Sequence, residues 1–215
     1  MQLITANLLC LNPWQPAAIQ QLLLADADLL ILPEVKPSLL FWLRALSTKA
    51  GYTLIEAHTN QQMALCLLSR LPIRQSHLID QGIFAGRPQL RVDLMSGITI
   101  FGIHLMAPIT VRKYQERNQQ LKTLGELIRA EPTPVVASGD FNTHVSETVF
   151  REFLQRAEGI VDEQFPAPKS WPSLLPLVTL DHVVYTRHLR LARLERGKFN
   201  GSDHFPIAAQ LLLKD

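Results

Sequence analysis

Cysteine is scarce in this chain: only Cys10 and Cys66 occur, both inside apolar runs rather than at loop spacings. That argues against a disulfide framework and against a zinc site. No basic residue precedes Lys36, so the positive start of a signal peptide is missing. Uninterrupted apolar stretches are short, such as Met63 to Leu68, against the roughly 18 residues that a membrane-spanning helix needs. The chain starts directly on a strand-like run, and it is expected to be cytoplasmic as given unless an anchor lies upstream. A charge excess is lacking too. The 21 Lys and Arg stand against 19 Asp and Glu, a formal charge of +2, so charge alone does not mark a nucleic-acid binder. There is no P-loop, no Gly-x-Gly-x-x-Gly and no nucleophile elbow, because Ser138 lacks the glycine two positions before it.

What is present reads as one globular α/β domain over 1–215. The hydrophobic fraction of 47% and charged fraction of 19% are ordinary for a folded soluble chain. No repeat or Gly/Ser linker breaks it. The pattern predicts a strand over Gln2 to Leu9, a helix over Pro16 to Ala25, a buried strand over Asp28 to Leu32 and a helix over Ser38 to Ala50. From Tyr52 to His104 turn signals separate a series of strands. A long helix follows over Val111 to Ala130, with Tyr114, Leu121, Leu124 and Ile128 near helical spacing. Then come a buried strand over Pro134 to Ala137, a helix over Glu147 to Ala157, a Pro-rich loop over Phe165 to Pro176, and strands near His182 to Tyr185, Leu189 to Glu195 and Pro206 to Leu213. Helices and strands interleave at both ends around a strand-rich middle. Two sheets packed face to face with helices outside, an α/β/β/α sandwich, accommodate that order.

Polar residues stand in or just after several of the apolar runs: Asn7, Glu34, His104, Asp140 with Asn142, Asp181, and Asp203 with His204. Strand ends are where α/β proteins bind ligands, since the loops there converge on one crevice. One such residue is ordinarily a cap or turn former. Eight on six segments point to chemistry instead: oxygen ligation of Mg²⁺ or Mn²⁺ together with phosphate transfer.

These residues carry a resemblance. The order Thr5-Ala-Asn7, Pro33-Glu34, Leu68-Ser69-Arg70-Leu-Pro72, Ile103-His104-Leu105, Ser138-Gly139-Asp140-Phe141-Asn142, Leu180-Asp181-His182 and Gly201-Ser202-Asp203-His204-Phe-Pro206 resembles the endonuclease/exonuclease/phosphatase superfamily, the group of deoxyribonuclease I. The resemblance runs from residue 5 essentially to the C-terminus. It implies a four-layered sandwich of two mixed sheets and metal-dependent cleavage of phosphoester bonds by activated water. It also implies roles. Glu34 is the main Mg²⁺ or Mn²⁺ ligand, with Asn7 and Asp203 as further metal contacts or supports. Asp140 orients and deprotonates water, and Asn142 and Asn7 contact phosphate. His204 touches the scissile phosphate with its proton fixed by Asp181, and His104 assists the leaving group. Either His204 or Asp140 is the base.

The chain also departs from the family's repair enzymes, which carry Asp or Asn where this chain has Leu9 and Tyr where it has His104. Both differences count against abasic-site repair. The chain is short for the family and has little room for DNA-gripping insertions. A small or lipid phosphoester is therefore the expected substrate, with nuclease action and a catalytically silent binding module as the alternatives. The basic segment Arg187 to Lys198 is either a solvated edge strand or a phosphate-binding rim. Trp171, on the Pro-rich loop, either plugs the surface or shapes substrate contact. Arg70 is read as structural. His58, His77, His144 and His188 fit no ligand spacing, and nothing indicates an obligate protein partner.

Overall fold

The computed structural model describes residues 1–59, 62–160 and 168–214. Burial on both faces explains why Leu29–Val35 (β2) is a continuous apolar strand: Leu29 and Ile31 face one side, Leu30 and Leu32 the other, and all four are fully buried. A strand covered on both faces has that pattern. Gln2–Thr5 (β1) runs parallel to β2 and is flanked on its other side by Ile207–Leu213 (β12), with Leu189–Arg196 (β11) at the edge. Beyond β2 lie Met63–Ser69 (β4) and Thr53–Thr59 (β3). The second sheet contains, in spatial order, Ile73–Ile79 (β5), Gln89–Leu94 (β6), Thr99–His104 (β7), Val135–Asp140 (β8), Asp181–Thr186 (β10) and Gly159–Ile160 (β9). Only β7 and β8 are parallel there, so both sheets are mixed.

The sheets face each other across Leu3, Ile31 and Leu67 from one and Leu90, Ile100 and Val136 from the other. Gln15–Leu23 (α1) and Leu40–Lys49 (α2) cover the outer face of the first sheet, where Ile19 and Leu43 meet Leu30 and Leu68. Val111–Arg129 (α3) and Thr148–Ala157 (α4) cover the second, where Leu121, Leu124, Phe150 and Phe153 meet Phe101 and Ala137. The architecture is the four-layered sandwich that the element order predicts.

Several boundaries differ from the sequence reading. The strand expected over Pro134 to Ala137 runs on to Asp140, and the helix expected from Ser38 starts at Leu40. Three further differences lie near the strand-end crevice. The first strand ends at Thr5 rather than Leu9. Leu8 still donates its N–H to Pro33, but Leu9 adopts a φ of 53° and turns the chain away. The second strand runs on through Glu34 to Val35 instead of stopping at Leu32, because a bulge absorbs the extra residues. Along α3, Tyr114 is exposed, and the stripe position one turn on is taken by the fully buried Arg117, which lies over the Tyr114 ring at 4.9 Å. Of the Pro-rich loop, Phe165, Pro166 and Ala167 lie outside the described residues. Arg70 is structural, pairing with Asp26 and stacking over Tyr52.

His182, next to a candidate site residue, belongs to the core. It is buried against Phe150 at 4.4 Å between ring centres, and its Nε2 lies 2.7 Å from the Thr143 carbonyl oxygen. Burial pushes its pKa down to about 4, the Thr143 bond opposing it only in part. Its unfolded value is about 6.5, so the neutral ring stabilises the fold fully above that pH and loses its contribution as pH falls towards 4. Urea unfolding at pH 7 and pH 4.5 is expected to show wild type losing on the order of 2 to 3 kcal/mol more than His182→Gln. Equal losses in the two proteins would count against a neutral buried ring.

Candidate active site

Glu34 sits at the β2 bulge with a φ of 62°, a left-handed conformation that costs a non-glycine residue on the order of 1 to 3 kcal/mol. Gln15, buried at the start of α1, holds it there. Its Nε2 donates to the carbonyl oxygens of Glu34 and Leu9, both at 2.8 Å, and its Oε1 accepts from the Lys36 N–H at 3.0 Å. One side chain thus fastens the bulge to the turn after β1. The Glu34 carboxylate points into the crevice between the sheets' ends. Its Oε2 accepts from the Cys10 N–H at 3.0 Å, and its Oε1 accepts from Asn7 Nδ2 at 3.1 Å. Pro37–Leu39, the turn that opens the next helix, has Lys36 as its cap and no side-chain capping bond, so Glu34 does not serve as a cap.

Asn7 bridges the two sheets, because the same Nδ2 donates to Asp140 Oδ2 at 2.9 Å. Asp140 ends β8, and the residue before it has to be glycine: a Cβ on Gly139, at a φ of 144°, would stand 1.9 Å from the Ile103 carbonyl oxygen. Asp140 is fully buried. Its Oδ1 accepts from the Asn142 N–H at 2.8 Å and its Oδ2 from Asn142 Nδ2 at 3.2 Å. Asn142 takes a φ of 49°, and Arg117 clamps that turn from behind with bonds to the Asn142 carbonyl at 2.6 Å, the Thr143 hydroxyl at 2.7 Å and Glu147 at 2.9 Å.

His204 enters from the loop after β11. Its Nδ1 lies 2.7 Å from Asp181 Oδ2, where the sequence reading expects the pair, and both residues are buried. Ser202 sets this loop in place by donating its hydroxyl to the Asn7 carbonyl at 2.7 Å and accepting from the His204 N–H at 3.1 Å. Asp203 turns the other way. Its Oδ2 accepts from Trp171 Nε1 at 3.1 Å, which fixes the Trp171 loop to the rim of the site.

His104 ends β7 beside Asp140 in the parallel register. Its Nε2 is 3.6 Å from Glu34 Oε1, too far for a hydrogen bond, and 3.1 Å from Arg87 Nη1. Arg87 donates to the Leu105 carbonyl at 2.8 Å, while Gln89 grips the His104 backbone on both sides. His144 bonds Ser146 in its own turn.

Electrostatics separate the acids. Burial works against the Glu34 charge, yet the nearby His104, the Cys10 amide and the Asn7 amide hold its carboxyl well below the usual range. Burial, reinforced by the Asp181 charge, pushes Asp140 up. His204 is also disfavoured as a cation by burial, but the Asp181 and Asp140 carboxylates outweigh that and lift it to about 10. Among the described residues, two sets of ligand atoms come within 4.8 Å of one another: Glu34 with His104 and Asp140, and Asp140 with Asp181 and His204. Asp203 is in neither.

A profile of the Endonuclease/Exonuclease/phosphatase family matches residues 4–204. The chain belongs to that family. Members are metal-dependent phosphoester hydrolases of the nuclease and phosphatase type, and an oxygen-rich crevice at the strand ends suits that chemistry. A UPF0294 protein of Vibrio campbellii is 26% identical over 127 residues, 58% of this chain and 44% of that protein. The match therefore spans less than half of that relative's length. Among solved structures, an AP endonuclease from Archaeoglobus fulgidus superposes with a TM-score of 0.80 at 16% identity over 98% of each chain. The 3′ phosphatase NExo from Neisseria, bound to a product DNA hairpin, gives 0.77 at 18% identity, also over 98% of each. A mannosyl-6-phosphatase of Bacteroides thetaiotaomicron gives 0.71 at 14%, covering 99% of this chain and 100% of that one. At these identities the likeness is one of fold. No helix among the described residues is long and apolar enough to cross a membrane.

Within the family frame, the residues that sequence reasoning missed are those acting through others: Gln15, Arg87, Arg117 and Ser202. Arg117 left a faint signal, a cation on an otherwise apolar helical stripe. Arg87, between Gly86 and Pro88, reads as a turn residue and left none.

Proposed function

We propose that this chain is a Mg²⁺- or Mn²⁺-dependent phosphoesterase that hydrolyses a phosphodiester or phosphomonoester with activated water. The observation that carries the reading is the convergence of Asn7, Glu34, Asp140, Asn142 and the Asp181–His204 pair, from separate segments, around one crevice. The donor set fits a hard divalent ion. Glu34 and Asp140 supply carboxylate oxygens, and Asn7 adds an amide within reach. Glu34 would hold the ion, with Asn7 and Asp140 as further oxygen donors, while Asp203 supports the site through Trp171. Bound there, the ion would neutralise charge on the non-bridging phosphate oxygens.

The protein's own groups divide the remaining work. Asp140 accepts three N–H bonds from Asn7 and Asn142, so its carboxylate is aimed, and burial raises its basicity. It takes the proton of the attacking water. His204, kept cationic by Asp181 and Asp140, donates to a phosphate oxygen. His104, steadied by Arg87, stands on the leaving-group side, and Asn142 orients the phosphate.

Turnover of bis-p-nitrophenyl phosphate is expected with Mg²⁺ or Mn²⁺, to be lost in EDTA and restored by added metal. Turnover indifferent to EDTA would overturn the metal assignment, and metal binding without turnover of any phosphoester would favour a silent binding module. Nuclease action is the second reading. His104, the basic segment Arg187 to Lys198 leading into the Asp203–His204 loop, and the DNA hairpin in the NExo structure favour it. Nicking of plasmid DNA that weakens steeply with salt would select it.

A further inference from the structure

Three loops meet at the mouth of the site: 6–14 after β1, 168–180 before β10, and 197–206 between β11 and β12. Hydrogen bonds join them. The Ser173 N–H donates to the Asp203 carbonyl at 2.7 Å, the Ser173 hydroxyl to the Ser202 carbonyl at 2.8 Å, and the Phe205 N–H to the Ser170 carbonyl at 2.8 Å. Asn12 Nδ2 reaches the Asn200 carbonyl at 3.5 Å, and Gly201 packs beside Asn12 and Trp14. The three loops therefore form one surface, with Asn7 and His204 at its base.

That surface exposes apolar side chains. Leu174 is 96% exposed, Leu11 81% and Trp14 66%, and Leu175, Leu177 and Phe199 are exposed as well. None belongs to a core cluster, although Phe199 packs edge-on to Phe205 at 6.1 Å between ring centres. Contiguous exposed apolar surface marks an interaction site. Cations outnumber acids around it. Lys169 and Lys198 are exposed on the same loops, and Lys36 lies alongside, its ammonium bonded to the Asn12 carbonyl. Among the described residues of these loops, Asp203 is the only carboxylate.

We infer that this rim seats the site on an anionic lipid surface, and that the substrate is the phosphoester head group of a lipid presented there. The inference rests on the phosphoesterase reading of the same site. With Trp171, also partly exposed on this rim, four of the seven apolar side chains are leucines, and Leu174 and Leu11 are the most exposed of the set. A single nucleic-acid strand is gripped by stacking on aromatic faces, which a leucine does not offer. A lipid surface uses all of the groups: aliphatic tips for the acyl boundary, Trp14 and Phe199 at the interface, and lysines for anionic head groups.

Co-sedimentation in EDTA with phosphatidylcholine vesicles, with and without phosphatidylserine, tests docking without catalysis. Wild type is expected to bind the anionic vesicles. The double variant Leu174→Asp/Leu175→Asp, and separately Leu11→Asp on a different loop, should bind ~10-fold more weakly or worse. Both should turn over bis-p-nitrophenyl phosphate like wild type. With metal, wild type should also cleave a vesicle-embedded phospholipid faster than either variant. Absence of vesicle binding by wild type, with soluble turnover intact, overturns this inference and leaves the phosphoesterase reading standing. Binding by the variants equal to wild type overturns it as well, and so does binding of a single-stranded oligonucleotide, in place of vesicles, that the same variants lose.

Discussion

Replacing Glu34 by glutamine is expected to lower turnover by on the order of 10³-fold or more, since several kcal/mol of charge stabilisation depends on the ion that this carboxylate would hold. The substitution keeps the shape and removes the charge. The backbone does not depend on that charge: Glu34 caps no helix, and Gln15 holds the main chain around it. The carboxylate also shares the Asn7 Nδ2 with Asp140, which places two acids around one amide donor. The Glu34 carboxyl is held well below the usual range, so its charge contributes to the fold above the unfolded value of about 4.3. The melting temperature of the variant is therefore expected to fall modestly at pH 7 with the fold retained. Calorimetric titration with Mn²⁺ should show weakened binding in the variant, alongside the assay on bis-p-nitrophenyl phosphate. A Glu34→Gln protein with wild-type turnover and metal affinity would remove Glu34 from the metal site.

The combination of an inactive variant with an intact fold is expected because of how the site is built. Its acids stand on strand ends and loops, where the backbone is strained. Leu9, Glu34 and Asn142 all take positive φ. Such strain persists only where surrounding bonds over-determine the geometry, and here Gln15 and Arg117 supply those bonds.

The layers were legible in the sequence because the continuous apolar run of a doubly covered strand such as β2 and the helical stripe of Leu121, Leu124 and Ile128 are set by contacts with neighbours of the same chemistry. The candidate site residues stood out for a different reason. Asn7, Glu34, His104 and Asp140 interrupt or end apolar runs, and polarity at such places stands out. What was hidden depends on geometry that hydropathy does not encode. Leu8 and Leu11 have the same hydrophobicity, yet one is fully buried and the other exposed, because Leu9 turns the chain between them. That single turn ended the first strand early and put apolar side chains on the rim. Arg117 was concealed by the converse effect. A buried arginine is tolerated when the Asn142 and Thr143 oxygens and Glu147 satisfy it, and those partners lie far along the chain.

The Asp181–His204 pair leads to the other large effect. Asp181→Asn is expected to reduce turnover by about 10³- to 10⁴-fold, the scale seen when an amide replaces the carboxylate that orients a catalytic imidazole. The wild-type carboxylate, 2.7 Å from Nδ1, does two things. It requires a proton on Nδ1, which fixes the ring's orientation, and together with Asp140 it outweighs burial to raise the His204 pKa to about 10. Asparagine can keep a hydrogen bond, but it abolishes the attraction that compensates burial, so the pKa of the ring should fall. For stability the sign is definite. A raised folded-state pKa means that the charged ring stabilises the fold fully below its unfolded value of about 6.5, and that this contribution fades as pH climbs towards about 10. The variant should therefore lose most stability near pH 6 and approach wild type near pH 10. It should also lose activity on the alkaline side at lower pH than wild type does. NMR titration of the His204 ring, with pH–rate profiles of both proteins, reads the two effects separately. An Asp181→Asn protein whose ring titrates as in wild type and whose turnover stays within about threefold would show that His204 works without its partner.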